Sequence, residues 1–253
     1  MVLKDLKEIS GLPLKLNGNS LVFGKDMKKV VPEARTKERM NAVLKDKFGR
    51  APKEFYYMYR DVCIESQRKK IANKDLRFDI TILPAFVVGE EYNKTFGHYH
   101  PQILGQKIQW PEVYEVLNGT AHFILQNKNE VLVFNAKKGD KCVMLPDFAH
   151  VTVNPSEKEP LVMANWVCPN FSSDYSFFEK FNGAMWYDTV NGFVKNSAYK
   201  KIPNLKLISS KEFPKFGLTK KPMYLEAMKN PKKFEWLSKP WKYSKEFKKY
   251  RKA

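Results

Sequence analysis

Cysteine is scarce in this chain. Only Cys63, Cys142 and Cys168 occur, widely separated and never in a CxxC spacing. An odd, scattered set excludes a disulfide framework and a zinc ribbon, and it fits a reducing compartment. Long apolar runs are missing as well. Nothing approaches the roughly 18–20 apolar residues of a membrane span, and the opening MVLKDLKEISGLPLKL has no apolar signal core. A soluble, cytoplasmic protein with no membrane partner is the expectation. Histidine is limited to four residues, and acidic side chains (27) are outnumbered by basic ones (45), leaving a formal charge of +18. Internal repeats and low-complexity linkers are absent.

What is present suffices for a packed interior. Hydrophobic residues make up 43% of the chain and aromatics 14%, unlike a disordered sequence. The 253 residues fit one large domain, or a medium domain with extensions. The charge is uneven. Residues 204–253 hold fourteen lysines and Arg251 against four glutamates, interleaved with Phe213, Phe216, Trp236, Trp241, Tyr243, Phe247 and Tyr250. Such a tail can hold nucleic acid through phosphate contacts and base stacking. It can equally pack its rings on the rest of the protein while its lysines stay in water. The packing reading is preferred, with nucleic acid kept as the alternative.

Residues 36–48 show helical spacing, with Met40, Val43, Leu44 and Phe48 on one face. Ser20 to Phe23 is a short strand candidate. From residue 55 to 169 the pattern is β-rich. FYYMYRDVCI (55–64) alternates, and LRFDITILPAFVVG (76–89) is a strand pair or a bent strand broken at Pro84. TFGHYHP (95–101) reads as a short strand. EVYEVLNGTAHFILQ (112–126) reads as a hairpin turning at Asn118-Gly119, and further short strands follow. Short strands punctuated by Gly, Pro and Asn indicate a sandwich or small barrel. Beyond residue 210, prolines 214, 222, 231 and 240 divide the tail into short helices or turns.

Three of the four histidines fall into one pattern: His98-Tyr99-His100, then Glu112, then His150. Side chains alternate along a strand, so His98 and His100 share a face. Inside a small barrel, three imidazoles and one carboxylate can converge from three strands. That donor set suits a divalent first-row metal; iron(II), manganese, nickel and zinc are all chemically acceptable. An HxH taken alone is more often a surface or packing feature, and the combination carries the signal. His122 lies outside the pattern and reads as structural.

The spacing from Glu112 to Gly119 and from His150 to Asn154, with Gly139 and Pro146 ahead, is similar to the two cupin motifs. Eleven residues separate His100 from Glu112, more than cupins usually have there, and Asp147-Phe148-Ala149 replaces the usual glycine before the last histidine. With those departures, T-F-G-H-Y-H, P-E-V-Y-E-V-L-N-G and P-D-F-A-H-V-T-V-N resemble the cupin-type glucose-6-phosphate isomerases over roughly residues 50–180. The resemblance implies His98, His100, Glu112 and His150 as metal ligands, with iron(II) favoured. It implies Thr95, Gly97 and Thr81 as phosphate contacts, Tyr56 and Tyr114 as cavity-facing tyrosines, and a homodimer. At a tyrosine position of the family this chain has Cys168, with Tyr175 as a substitute. Thr81 and Thr95 are also ordinary strand residues, and Tyr56 and Tyr114 fit a core equally well.

The expected fold is therefore all-β. It is a cupin barrel, a double-stranded β-helix or jelly roll, over 51–182, with a mixed extension over 1–50 and a basic, aromatic-rich one over 183–253. The expected activity is metal-dependent interconversion of glucose 6-phosphate and fructose 6-phosphate, with Glu112 as catalytic base or, alternatively, a metal-guided hydride shift. Another cupin metalloenzyme, acting on a different sugar phosphate or as a dioxygenase, is the runner-up. A non-catalytic cupin that binds sugar or nucleic acid stands behind it.

Overall fold

A computed structural model describes residues 3–252. Ten strands build the barrel: β1 (Glu33–Thr36), β2 (Glu54–Tyr59), β3 (Arg77–Leu83), β4 (Glu112–Asn118), β5 (Thr120–Gln126), β6 (Val131–Lys137), β7 (Lys141–Met144), β8 (Ala149–Val153), β9 (Leu161–Val167) and β10 (Leu205–Ile208). One sheet has the order β7-β4-β9-β3-β2-β1, all antiparallel; the other is β8-β5-β6-β10, with β10 parallel to β6. Beside β8 runs the segment 94–98, tied by isolated bridges Lys94–Val153 and His98–His150. Strands that alternate between two facing sheets in this order form a jelly roll, the all-β cupin architecture expected from the motifs. Tyr114 of one sheet and Phe123 of the other meet between them, ring centroids 5.5 Å apart.

Alternation gives the larger sheet two different faces. Arg77, Asp79 and Thr81 of β3 point inward, as do Glu112 and Tyr114 of β4. Phe78 and Trp166 lie on the outer face and are covered by the tail. Tyr224 and Phe234 pack there, with Tyr224 stacked on Trp166 at 5.7 Å and 15°. Trp166 Nε1 donates to the Met223 carbonyl at 3.4 Å. Glu115, also outward, accepts the Met223 N–H at 2.9 Å and pairs with Lys141 at 2.8 Å. The prolines act as expected. Pro214, Pro231 and Pro240 each open a 3₁₀ turn, and Pro222 precedes the helix Met223–Lys229, since a first-turn proline gives up no helical hydrogen bond. No helix among the described residues is long and apolar enough to cross a membrane.

Three local expectations need correction. Residues 112–126 are not a hairpin. Both edges of β4 are already paired, to β7 and β9, so β5 crosses to the other sheet. Gly119 makes that corner with φ +77°, where a Cβ would sit 3.1 Å from the Pro160 carbonyl oxygen. Residues 95–101 are not a continuous strand, because Gly97 takes φ +81° and interrupts the ladder between its two bridges. Phe48 is not on a buried helix face. The helix Lys37–Met40 runs into a 3₁₀ turn, Asn41–Val43, and Leu44 is already extended, leaving Phe48 98% exposed.

Within the tail, Trp236 is fully buried, stacks on Phe216 at 4.5 Å and donates Nε1–H to the Phe216 carbonyl at 3.2 Å. Trp236→Ala should destabilise the whole protein by about 3–5 kcal/mol, read as a lower urea midpoint in a single transition. An unchanged midpoint would mean that the tail is not part of the cooperative unit.

Candidate metal centre

His98 and His150 face each other across a narrow antiparallel bridge in which each backbone N–H donates to the other's carbonyl at 3.1 Å. Their rings come within 4.4 Å. His100, two residues on, turns to the same side, while Tyr99 between them packs away against Phe177. Glu112, the first residue of β4, reaches in from the opposite sheet. The ligand atoms of His98, His100, Glu112 and His150 all lie within 4.8 Å of one another. His98 Nε2 and His100 Nε2 are 3.0 Å apart, and Glu112 Oε2 is 3.5 Å from His100 Nε2 and 3.4 Å from His150 Nε2.

The surroundings orient these groups. His100 Nδ1 donates to the Trp110 carbonyl at 2.8 Å, which leaves the Nε2 lone pair aimed into the cluster. Asn165 Nδ2 donates to Glu112 Oε1 at 2.6 Å. His150 Nε2 is buried without a hydrogen-bond partner among the described residues. An orphaned imidazole nitrogen, two further imidazole Nε2 atoms and a carboxylate oxygen facing one space form a donor set that fits a divalent first-row cation. Burial, above all, keeps the imidazoles neutral. His98 is held well below its ordinary range, with the His150 and His100 rings adding to the effect. His100 is pushed down to about 4 and His150 to about 3. Burial also raises Glu112, against the pull of His100.

The cluster forms part of the wall of a cavity of ≈ 370 Å³, within the usual range for small-ligand sites. Thr81, Thr95, Gly97, Tyr56 and Tyr114 line the same cavity, so every sequence-derived site residue is brought to one place. Cys168 and Tyr175 line it too, the Tyr175 ring 5.5 Å from that of His98. Thr95 Oγ1 accepts the Thr152 N–H at 2.9 Å, and its own hydrogen remains to donate. Gly97 is required twice over, by its positive φ and because a Cβ would meet Phe178 at 2.9 Å. His122 stands apart, bound through Nδ1 to Asp188 at 2.5 Å.

Sequence reasoning missed Arg60, Arg77, Asp79, Asn165, Trp110 and Phe171. A period-two signal marked some of them: Tyr56, Met58 and Arg60 share one face, and Arg77, Asp79 and Thr81 another. Trp110 and Phe171 had no such signal. They meet only because the segment after His100 folds back, stacking the rings at 5.8 Å and 12°.

The histidine shifts predict a pH dependence. An imidazole that stays neutral in the fold but charges on unfolding makes the unfolded state bind more protons. Stability is then full above about 6.5 and falls as pH drops from 6.5 toward about 4, by about 1.4 kcal/mol per pH unit for each such histidine. Chelator-treated protein should show this slope in urea denaturation, and His150→Ala should reduce it. An unaltered slope in His150→Ala would contradict the buried neutral cluster.

Comparison with known proteins gives these groups a family setting. The glucose-6-phosphate isomerase of Thermococcus litoralis is 32% identical over 108 residues, 42% of this chain; the chain thus spans about half (53%) of that relative's length. Among solved structures, a recombinant oxalate oxidase in complex with glycolate aligns over 60% of this chain and 61% of its own (12% identity, TM-score 0.37). A Bacillus subtilis oxalate decarboxylase studied for its Mn(II) centers aligns over 49% of this chain and 28% of its own (18% identity, TM-score 0.35). The model of the family described as Glucose-6-phosphate isomerase (GPI) matches residues 30–204. That match covers well over half of the chain and takes in every ligand of the cluster, so the chain belongs to the glucose-6-phosphate isomerase family.

Proposed function

We propose that this cavity interconverts glucose 6-phosphate and fructose 6-phosphate at a divalent metal held by His98, His100, Glu112 and His150. The observation that carries the reading is the convergence of those four side chains, around a partnerless His150 nitrogen, in one cavity with Thr81, Thr95 and Gly97. Family membership and the Thermococcus litoralis relative support it. Iron(II) is the favoured ion, with manganese, nickel or zinc as substitutes. A metal bound there supplies Lewis-acid polarisation of the sugar oxygens.

The chain's own residues do the rest. Glu112 is the carboxylate within the cluster, and it is the proposed base that takes the C2 proton and returns it at C1. Asn165 fixes its Oε1, so that Oε2 faces the imidazoles. The Thr95 hydroxyl, Thr81 and the Gly97 backbone bind the phosphate, which orients the open chain. Tyr56 and Tyr114 form walls. Burial raises the Tyr114 phenol well above its ordinary range, with Glu112 adding to this, so it stays a neutral hydrogen donor. The three free, buried cysteines are in keeping with a cytoplasmic protein. A homodimer is the proposed assembly, to be read by sedimentation at micromolar concentration.

A coupled assay for glucose 6-phosphate formation, with and without chelator, tests the reading; activity that survives complete metal removal would refute it. Glu112→Gln should lower kcat by roughly 10²–10⁴-fold, with metal content measured in parallel. Retention of both metal and turnover would remove Glu112 from the mechanism. Thr95→Ala should raise KM by roughly 10-fold or more, because a hydrogen bond to a charged phosphate is worth about 1.5–3 kcal/mol. Unchanged kinetics would place the phosphate elsewhere.

A further inference from the structure

Arg60 and Arg77 line the same cavity and are braced by one carboxylate, Asp79, whose side chain is fully buried. Asp79 Oδ2 accepts from Arg60 Nη1 at 2.9 Å and from Arg77 Nη2 at 2.7 Å. Its Oδ1 accepts from Arg77 Nε and from the Asp61 N–H, both at 2.9 Å. Asp79 is thus saturated, and it offsets one of two positive charges. Among the described residues, Arg60 Nη2 has only the Met58 sulfur, at 3.1 Å. The other carboxylate in the cavity, Glu112, acts on Arg60 electrostatically but, among the described residues, accepts no hydrogen bond from it. Glu112 Oε1 is held by Asn165, and Oε2 faces His100 and His150. Unspent guanidinium donors are therefore held rigidly in the wall.

The position of Arg77 separates it from Thr81, one of the proposed phosphate contacts. Arg77 is in register with Val167, which is in register with Glu112, so the arginine sits level with the metal centre. Thr81 lies four residues further along β3, roughly 13 Å away at strand rise. The arginine side chains keep 42% and 32% exposure, whereas Thr81 is buried.

We propose that Arg60 and Arg77 form a second oxyanion-recognition element. Sugar phosphates carrying a further carboxylate or phosphoryl group would bind this cavity more tightly than the monophosphate, and compete with it. Guanidinium forks suit both groups. The inference rests on the sugar-phosphate reading of the cavity.

The test is calorimetric titration of the metal-loaded full chain with glucose 6-phosphate, 6-phosphogluconate and fructose 1,6-bisphosphate. Wild type should bind at least one doubly anionic ligand roughly 10-fold or more tighter than the monophosphate. Arg60→Gln and Arg77→Gln should remove that advantage and leave monophosphate affinity within about threefold. The ligand that shows the advantage identifies the group as carboxylate or phosphoryl. No advantage in wild type would overturn the proposal. So would an advantage kept in both variants, which would put the second oxyanion on the metal, or equal weakening of all ligands, which would make the arginines the first phosphate site. Arg60→Lys and Arg77→Lys keep a cation beside Asp79 and guard against misfolding. With thermal midpoints unchanged, they should retain part of the advantage, and full retention would exclude the fork. Binding needs no turnover, so a chain that shows the preference but no isomerase activity would fail only the functional reading.

Discussion

Three imidazoles and a carboxylate are packed within 4.8 Å of one another inside the barrel, and much of the surrounding structure manages that arrangement. Polar atoms taken out of water must find partners, yet lone pairs from His100 and His150 are turned toward one another's neighbourhood. The backbone makes this tolerable. The reciprocal His98–His150 bridge fixes two rings, the Trp110 carbonyl fixes a third, and Asn165 fixes the carboxylate. A site preorganised this way needs little rearrangement to take a cation.

The larger sheet is covered on both faces. Its inner face carries Arg77, Asp79, Thr81, Glu112 and Asn165 beside Tyr114 and Met163. Its outer face is packed through Phe78, Trp166 and the aromatic tail. One polar intrusion remains there. Burial pushes Glu115 up to about 7, opposed by Lys141, and its carboxylate holds the Met223 N–H. It ties the start of the tail helix to the strand that carries Glu112, three residues away.

Part of the candidate site was legible because alternation is a strict rule, so that His98 and His100 had to share a face. Thr81, Thr95, Gly97, Tyr56 and Tyr114 came from the family resemblance, and they line the same cavity. What escaped depended on relations that no local pattern encodes. The Asn118-Gly119 dipeptide marks a reversal equally well in a hairpin or at a corner between sheets, and only the occupied edges of β4 decide between them. Gly97 was read as a backbone contact. Its positive φ breaks the strand that carries the histidines, and the closeness of Phe178, far along the chain, leaves no room for a Cβ. The period-two signal at Arg60, Arg77 and Asp79 was present. Its meaning needed the pairing that puts all three side chains on one wall.

The tail shows how composition divides between surface and interior. Residues 204–253 carry +11 of the +18 formal charge, and their spacing of rings and lysines allowed base stacking as well as packing. The structure sends the two sets in opposite directions. Phe216, Tyr224, Phe234, Trp236, Phe247 and Tyr250 are buried, while most of the lysines are in solvent. Stacking on nucleic-acid bases needs exposed ring faces, and those rings are committed to one another and to Trp166. The tail's outer face carries most of its lysines together with Trp241, which is 38% exposed. The charge is a property of the tail's outer face. Its aromatic content instead covers the sheet that carries Glu112, Asn165 and the paired arginines.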